Sequence, residues 1–378
     1  MIKFLVTAEA FGYGPVITAI QVINQLKKEI GGYYCFLGSG VALEQAALAS
    51  CFDEFVVCAT YLRERLEQQN HLLERFDYIL SSENTEGAIW GVEHAKIVFY
   101  IDNLFWMWDK IPPELCKVDT YFIAQSLDVT KNIERIGNKI KNYRVVSPLR
   151  NFPPQRTHVG EKDQLIVNLG GAESFLMESD CVNTMYYTLI QLIIQAWKTS
   201  HIDRMLVCGG GKLMQYLSGC FQIDRLSFQS LANEQYLDEL HESKYIMLSP
   251  GLGNFFESLT LSQEILFLPP VNYSQFWQAE FYRSLSLGYH SINWNDFSWY
   301  VPVEQYAPEE FGVRQVLKNV KLFLSHEETH AKILRKMNNY LFNPTEREFL
   351  TNRSEFCREI GTNGIGNTVD IIKERVLI

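Results

Sequence analysis

Short apolar runs alternate with amphipathic stretches along most of the chain. The apolar run Lys3–Thr7 leads into the helical pattern Pro15–Lys28, and the next run follows at Tyr33–Leu37. A short apolar run bounded by turn residues predicts a buried strand, whereas apolar positions three and four residues apart predict a helix that packs on one face. Strands that alternate with helices are typical of parallel sheets covered by helices. The pattern therefore predicts an α/β fold.

The same alternation continues through both halves of the chain. The other strands predicted in the first half are Glu54–Cys58, Tyr78–Ser81, Ile97–Ile101, Thr120–Ala124 and Arg144–Val146. The strands predicted in the second half are Gln164–Leu169, Met205–Cys208, Arg225–Ser227, Tyr245–Leu248 and Ile265–Leu268. From Val313 onward the pattern is mainly helical.

A proline-rich stretch separates the two series. Residues 147–163 have the sequence SPLRNFPPQRTHVGEKD, which is the composition of a linker. The chain of 378 residues also exceeds the size of one compact core. We therefore predict two doubly wound, Rossmann-like α/β domains that face each other across a cleft. The predicted bounds are 1–150 for the first domain, 151–163 for the linker, 164–312 for the second domain and 313–378 for a helical segment that packs back on the first domain.

Charge and cysteine content narrow the class of protein. A net charge of -10 argues against a dedicated nucleic-acid binder, which would carry a basic stripe. The eight cysteines form no C-x-x-C pair, which indicates free thiols in a reducing, cytoplasmic setting. No apolar stretch reaches the ~20 residues of a membrane helix, and the apolar N-terminus is too short for a signal peptide. We expect a cytoplasmic protein without a transmembrane segment. A homodimer is one possible oligomeric state.

Loops at the predicted carboxyl ends of the second-domain strands carry the candidate chemistry, because open α/β sheets bind ligands there. The first loop contains Gly170, Gly171 and Ser174, and the second begins at Gly209. The third segment offers an aromatic face and an amide to a nucleobase. Its residues are Phe228 and Gln229. Glycine-lined loops at successive strand ends indicate a ligand that lies close to the backbone.

The stretch Tyr245–Tyr282 is the most informative part of the sequence. A predicted strand ends in a loop with Ser249, Gly251, Gly253 and Asn254, and a predicted helix carrying Glu257 follows. Backbone N–H groups at such a loop suit a diphosphate. A carboxylate one turn into the helix can accept hydrogen bonds from a ribose. The alternative is an ordinary strand-to-helix crossover with a glycine turn.

The first domain contributes carboxylates and aromatic residues at its strand ends. Glu9 follows the first strand, and Asp102 ends a later strand before an aromatic cluster. The aromatic residues are Phe105, Trp106 and Trp108. Core packing is the simpler interpretation of these rings, whereas a buried carboxylate requires hydrogen-bonding partners.

Several common nucleotide and hydrolase motifs are missing from the sequence. Gly12 and Gly14 do not complete a G-x-G-x-x-G fingerprint, and no G-x-x-x-x-G-K-[ST] or G-x-S-x-G motif occurs. A dinucleotide-binding enzyme, a P-loop ATPase and a common serine hydrolase are therefore not supported.

Taken together, these residues resemble those of the GT-B glycosyltransferases. The similar branch contains natural-product and macrolide glycosyltransferases, plant and animal UDP-sugar transferases, and the lipid-linked N-acetylglucosaminyltransferase of bacterial wall synthesis. The residues that match the family pattern of the second domain are Ser249, Gly251, Gly253, Asn254, Glu257, Pro269, Pro270, Gln275, Gln278 and Ala279. The loop Gly12-Tyr13-Gly14-Pro15 is similar to the family's opening loop.

The resemblance implies a metal-independent sugar transferase without a cofactor, which uses a UDP- or dTDP-sugar. The diphosphate would lie on Pro250–Asn254 and Gly170–Ser174, Glu257 would hold the ribose, and Gln275 and Gln278 would contact the sugar. Gly14 of the opening loop would belong to the same nucleotide-sugar site. A small, partly apolar acceptor would bind near Tyr13, Asp102 and the aromatic cluster.

One residue departs from the family pattern. Many inverting members carry a histidine base in the opening loop, where this chain has Tyr13. Tyrosine, with an unperturbed pKa of about 10, is a poor base at neutral pH. Asp102 or Glu9 could be the base, or the acceptor could need none. Alternatives in the same fold are a nucleotide-sugar hydrolase or epimerase, or a non-catalytic nucleotide-sugar-binding partner protein.

Overall fold

A computed structural model of the chain describes residues 1–127, 129–150, 152, 160–171, 176, 178–342 and 349–377. The chain divides into two compact units. Unit 1 consists of Met1–Asn151 together with Arg358–Ile378, and unit 2 consists of Phe152–Cys357. The predicted linker cannot be followed in full, because residues 151 and 153–159 lie outside the described residues.

Unit 1 is built on a parallel sheet that has seven strands within the described residues. The strands are β1 (Lys3–Ala8), β2 (Tyr33–Gly38), β3 (Glu54–Val57), β4 (Tyr78–Ser82), β5 (Ile97–Asp102), β6 (Thr120–Ala124) and β7 (Tyr143–Val146). Their order across the sheet is β3-β2-β1-β4-β5-β6-β7. The central strands are almost wholly buried, since helices cover both faces of a doubly wound sheet.

The helices of unit 1 pack on this sheet. Those in the first part of the chain are α1 (Gly14–Ile30), α2 (Gly40–Leu48), α3 (Arg63–Glu67), α4 (Asn70–Leu73), α5 (Thr85–Glu93) and α6 (Thr130–Ile136). Pro15 stands in the first turn of α1, where its missing N–H removes no helical hydrogen bond. Buried residues of α1, including Val22 and Leu26, belong to one core with Phe4 and Phe36 of the sheet.

Unit 2 repeats the architecture with a six-stranded parallel sheet in its described residues. The strands are β8 (Lys162–Asn168), β9 (Arg204–Cys208), β10 (Leu226–Gln229), β11 (Ser243–Leu248), β12 (Ile265–Phe267) and β13 (Tyr289–Ser291). The order β10-β9-β8-β11-β12-β13 has the same winding as the first sheet. The prediction of two doubly wound α/β domains is therefore confirmed, although β13 was not predicted.

The helices of unit 2 and the chain end follow in sequence. They are α7 (Ser179–Thr199), α8 (Gly211–Cys220), α9 (Asn233–Glu242), α10 (Leu252–Ser258), α11 (Tyr273–Ser284), α12 (Glu309–Ser325), α13 (Glu327–Phe342), α14 (Phe349–Ile360) and α15 (Gly364–Val376). Within the described part of the chain, no helix is long and apolar enough to cross a membrane. All eight cysteines lie in described segments and are free thiols.

The structure differs from the prediction for the helical tail. The predicted return to the first domain began at residue 313, but α12 and α13 belong to unit 2 and pack against α7. Only the chain from Arg358 onward belongs to unit 1, where α15 packs against α1. The apolar face of α15 explains this placement, because Ile365, Val369 and Ile372 are buried in the unit 1 core.

Arg353 of α14 holds that helix to unit 2. Its guanidinium is 1% exposed and donates hydrogen bonds to carbonyl oxygens of two chain segments. The clearest are Nε to Leu287 O at 2.7 Å, Nη1 to Leu261 O at 2.7 Å and Nη1 to Gln263 O at 2.9 Å. The guanidinium also lies over the Tyr289 ring, with its carbon 4.7 Å from the ring centroid. A buried cation is tolerated here because carbonyl dipoles and an aromatic face replace its hydration.

Replacing Arg353 by alanine should destabilise unit 2 strongly. The change leaves several buried carbonyl groups without their donor, so we expect a loss of about 3 kcal/mol or more in the free energy of unfolding. Urea denaturation, followed by the fluorescence of the unit 2 tryptophans, measures it. Arg358→Ala is the matched control, since this exposed arginine lies on the same helix. Equal midpoints for the two variants would contradict the assignment.

Candidate functional site

Each sheet has one point at which the strand order changes direction. In unit 1 this switch point lies between β1 and β4, and in unit 2 it lies between β8 and β11. The loops after these strands diverge to opposite faces of the sheet and leave a crevice at the carboxyl edge. The structure therefore defines two candidate sites, one in each unit, by topology alone.

A buried amide network joins the two loops at the switch point of unit 2. Asn168, the last residue of β8, donates from Nδ2 to Asn254 Oδ1 at 3.0 Å and accepts from the backbone N–H of Gly170 at 2.8 Å. Asn254 in turn donates from Nδ2 to Ser249 O at 2.9 Å and to Ser249 Oγ at 3.1 Å. The Tyr236 hydroxyl donates to Asn254 Oδ1 at 2.9 Å. These bonds fix the backbone on both sides of the switch point.

Glycine is required where the loops after β8 and β9 approach each other. A Cβ on Gly210 would lie 2.5 Å from Gly171 O, and the Gly210 N–H donates to Gly170 O at 3.1 Å. A Cβ on the predicted Gly209 would lie 2.9 Å from the Met214 side chain. Gly170 has a φ of +70°, a conformation that favours glycine. Ser174 of the same predicted loop lies outside the described residues.

The loop after β11 leads into a helix, α10, that no side chain of the described residues caps. Gly251 is the residue before this helix. A Cβ on Gly251 would meet nothing within 4 Å, and Gly253 lies in the first turn of α10. Glu257 lies one turn further and is 5% exposed. Burial, and next the charge of Glu257, raise the pKa of Tyr236 well above its usual value.

The two predicted sugar-contacting glutamines lie on α11 in different environments. Gln275 uses its side-chain oxygen to accept from the Val271 N–H at 3.0 Å, which secures the turn before the helix. Gln278 is 2% exposed, and its Oε1 has no hydrogen-bond partner among the described residues. An unpaired buried acceptor costs about 1–3 kcal/mol, which a ligand hydroxyl could offset.

The two residues that were predicted to contact the nucleobase do not lie in a loop. Phe228 and Gln229 are the last residues of β10. The Phe228 ring stacks on Phe221 with 6.2 Å between centroids, and Phe221 stacks on Tyr187 of α7. Phe228 therefore contributes to packing between β10 and the adjacent helices, while Gln229 is exposed.

The switch point of unit 1 carries a carboxylate that is held by hydrogen bonds. Glu9 follows β1 and is partly buried; its Oε2 accepts from Asn84 Nδ2 at 3.0 Å and its Oε1 accepts from the Ala10 N–H at 3.2 Å. Burial raises the pKa of Glu9 to about 7, despite these hydrogen bonds. Tyr13 is the residue before α1, and Gly14 opens this helix and accepts from the buried Arg150 at 3.2 Å.

Asp102, one of the predicted bases, is enclosed by hydrogen-bond donors. Its side chain is fully buried, and it accepts from the Tyr121 hydroxyl at 2.6 Å, the Leu104 N–H at 2.8 Å and Trp108 Nε1 at 2.9 Å. Burial raises the pKa of Asp102 to about 6, and the hydrogen bonds oppose this rise. The carboxylate orders the segment that follows β5 rather than facing a ligand.

The predicted acceptor-binding aromatics are mainly core residues. Phe105 is 0% exposed and packs edge-on against Tyr121, with 6.1 Å between ring centroids. Trp106 is 5% exposed, so neither ring can line an open surface. Trp108 is partly exposed, and its indole N–H is bound to Asp102. Only Trp108 of the three could contact a ligand without rearrangement.

Sequence reasoning missed three polar residues that follow β4 and β5, one of which contacts Glu9. Glu83 and Asn84 follow β4, and Asn103 follows β5. Asn103 Nδ2 donates to Glu83 Oε1 at 2.5 Å, and Glu83 has a φ of +56°, which is strained for a residue with a side chain. The only sequence signal was a run of polar residues directly after an apolar strand.

Within the described residues, no group of His, Cys, Asp or Glu is arranged to hold a metal ion.

Comparison with known proteins identifies the architecture. No protein-family model and no curated protein sequence matches the chain. Solved structures do match: UGT89C1 of Arabidopsis thaliana, complexed with UDP-L-rhamnose, has a TM-score of 0.51 and 12% identity over 95% of this chain and 98% of its own. A putative UDP-N-acetylglucosamine 2-epimerase from Listeria monocytogenes has a TM-score of 0.52 and 10% identity over 94% of each chain. The glycotransferase of kitacinnamycin has a TM-score of 0.50 and 11% identity over 99% of each chain.

The chain has the GT-B fold. Identities of this size establish the fold alone, and the expected resemblance is confirmed at that level. In GT-B terms, the amide network of Asn168 and Asn254 lies in the second Rossmann-like domain, and the Glu9 cluster lies in the first.

The raised pKa of Glu9 predicts a pH-dependent stability. The folded protein holds this proton up to about pH 7, whereas the unfolded chain loses it near 4.5. The stabilising contribution is therefore complete below pH 4.5 and is lost as the pH rises through 7. Glu9→Gln cannot ionise, so its melting temperature should rise relative to wild type between these values and level off above about pH 8.

Differential scanning fluorimetry across this range measures the effect. Glu29→Gln is the control with the opposite sign, because a hydrogen bond from Lys373 lowers the pKa of Glu29. A Glu9→Gln difference that does not change with pH would contradict the burial of this carboxyl group.

Proposed function

We propose that the protein is a glycosyltransferase that moves a sugar from a UDP- or dTDP-sugar to a small, partly apolar acceptor. The observation that carries this proposal is the Asn168–Asn254 network, which ties together two glycine-containing loops at the switch point of the second GT-B domain. Backbone donors suit the oxygens of a diphosphate.

Donor binding is assigned to unit 2. The diphosphate lies on the Pro250–Asn254 segment, where backbone N–H groups of the first turn of α10 donate to it, and beside the loop that begins at Gly170. Because α10 has only seven residues, individual N–H groups rather than a long helix dipole provide the attraction. Glu257 accepts from the ribose, and Gln278 contacts the sugar through its unpaired oxygen. The UDP-L-rhamnose complex of the similar Arabidopsis protein supports a UDP-linked donor.

Acceptor binding is assigned to unit 1. Trp108 offers a partly exposed ring, and Tyr13 and Glu9 offer polar groups beside the switch point. A partly apolar alcohol fits this combination of an aromatic surface and hydrogen-bonding groups. Transfer without a metal is part of the proposal, since the sequence has no D-x-D motif and the donor loops provide backbone N–H groups for the leaving diphosphate.

A nucleotide-sugar epimerase or hydrolase of the same fold is the second candidate. The similarity to the putative epimerase of Listeria monocytogenes favours it, as does a tyrosine where many transferases have a histidine base. Release of UDP from UDP-sugars without any acceptor would favour hydrolysis, and conversion of the sugar without UDP release would favour epimerisation. A binding protein without activity would give neither product.

Nucleotide binding is the first experimental test. A nucleotide at ~100 times its Kd stabilises the folded protein by about 2.7 kcal/mol, so UDP or dTDP should raise the melting temperature measurably. GDP and AMP serve as comparison nucleotides. If no nucleoside diphosphate shifts the melting temperature, the donor site is assigned wrongly.

Two variants separate the site from general stability. Glu257→Ala should lose most of the nucleotide-induced shift because the ribose loses its acceptor. Glu239→Gln is the matched control in unit 2, since Glu239 pairs with Lys162 at 2.9 Å outside the switch point. A full nucleotide shift in Glu257→Ala would refute the ribose assignment.

A further inference from the structure

Glu9 is set into a hydrogen-bonded network that extends from the sheet interior to the switch point. Thr7 donates to Ser81 Oγ at 3.0 Å, and Ser81 donates to the backbone oxygen of Asn84 at 2.6 Å. The Asn84 side chain then donates to Glu9 Oε2 at 3.0 Å and to Thr60 Oγ1 at 3.0 Å. The bonds join β1 and β4 to the segments that follow β1, β3 and β4, so the carboxylate is held from several parts of the sheet.

Asn84 is the centre of this network. The residue is 0% exposed, and its Oδ1 accepts from the Gly87 N–H at 2.8 Å, which caps α5. A Cβ on Gly87 would lie 2.1 Å from Asn84 Oδ1, so the helix begins as close to the amide as a glycine allows. With its oxygen committed to the helix, the amide must present its N–H groups to Thr60 and Glu9.

We propose that Asn84 is a positioning residue that orients the Glu9 carboxylate to accept the proton of the acceptor hydroxyl. This inference rests on the proposed transferase function. The amide of Asn84 directs one oxygen of Glu9, and the Ala10 N–H directs the other. In sites with a histidine base, an aspartate orients the histidine. Here the Glu9 carboxylate would be the base, and the neutral amide of Asn84 would orient it.

The chemical step is a single displacement. The acceptor oxygen forms a bond to the anomeric carbon, and the bond from that carbon to the diphosphate oxygen breaks. The diphosphate leaves with the electron pair, and the hydroxyl proton moves to the Glu9 carboxylate. A base with a pKa near neutrality suits this transfer, because it is largely ionised above pH 7 and can still hold a proton.

The neighbouring charged groups are consistent with this role. Glu86 of α5 is the charge that raises the pKa of Glu9, after burial. Glu9 in turn, after burial and together with Asp102 and Glu83, raises the pKa of Tyr100 of β5. Asp102 is fully buried, whereas Glu9 and Glu83 are both partly exposed; Glu9 is the one that follows β1 at the switch point, and Asn84 donates to it.

Asn84→Asp is the informative variant. The carboxylate can still cap α5, but it no longer donates to Glu9 and adds a like charge beside it, so the pKa of Glu9 should rise by about one unit or more. Transfer from UDP-glucose to a panel of phenols and aliphatic alcohols is followed by acceptor-dependent UDP release. We expect the acid limb of the pH profile of kcat/KM to move up by that amount. The rate at pH 6 should fall about 10-fold, with a change of less than about two-fold at pH 9.

Asn103→Asp is the matched control. It makes the same replacement in an amide that donates to a different carboxylate, that of Glu83. The acid limb should stay within about 0.3 units of wild type in this variant. An equal shift in both variants would overturn the specific role of Asn84, because it would indicate a general change in charge.

A readout that needs no turnover separates this inference from the proposed function. A diazo compound esterifies protonated carboxyl groups, and peptide mass spectrometry gives the pH midpoint of labelling at Glu9. The midpoint should move up in Asn84→Asp and not in Asn103→Asp; an unmoved midpoint overturns the coupling. A moved midpoint with an unmoved pH profile overturns Glu9 as the proton acceptor. A moved midpoint in a protein that turns over no UDP-sugar contradicts the transferase function, and the base role with it.

Discussion

The hydrogen bond between Asn168 and Asn254 is the contact on which the second half of the molecule is organised. It joins the end of β8 to the first turn of α10 across the switch point, in a site where both side chains are 8% exposed. A buried amide must satisfy its donors and acceptors, so each partner also fixes a backbone group, Gly170 N–H in one case and Ser249 O in the other. The result is a rigid rim of backbone around an open space.

The two units share one topology but differ in the charge of the groups at their switch points. In each unit an asparagine follows the strand across the switch point: Asn84 follows β4, and Asn254 follows β11. Asn254 meets another amide, whereas Asn84 meets the carboxylate of Glu9. A neutral rim of donors favours an anionic ligand, and a supported carboxylate favours the transfer of a proton. In the proposed reaction, unit 2 therefore binds the diphosphate and unit 1 accepts the proton.

Local patterns in the sequence predicted the strands well, since short apolar runs between turns have few alternative interpretations. Two elements were not predicted. The strand β13 has three residues, Tyr289–Ser291, which is too short for a periodic signal, and α5 contains two glycines that conceal its helical pattern. Strand-end position drew attention to Glu9 and Asn254, and the structure places both at switch points. It could not separate Glu9 from Asp102, because the burial of Asp102 depends on Tyr121 from another strand. Asn84 was missed for the same reason: its partner is 75 residues away.

The last helix also bears on how the chain is made. During synthesis α1 emerges early, yet the helix that covers it is made much later, and the ion pair of Glu29 with Lys373 spans 344 residues. Until α15 has been made, the nascent first unit therefore exposes an apolar strip that includes positions that later pack with Ile365 and Val369. Both units depend on α14 and α15 for completion, since Arg353 of α14 is bonded within unit 2 and α15 packs in unit 1. A transcript cut short before this point yields a polypeptide with two unfinished cores, a natural substrate for chaperones and proteases.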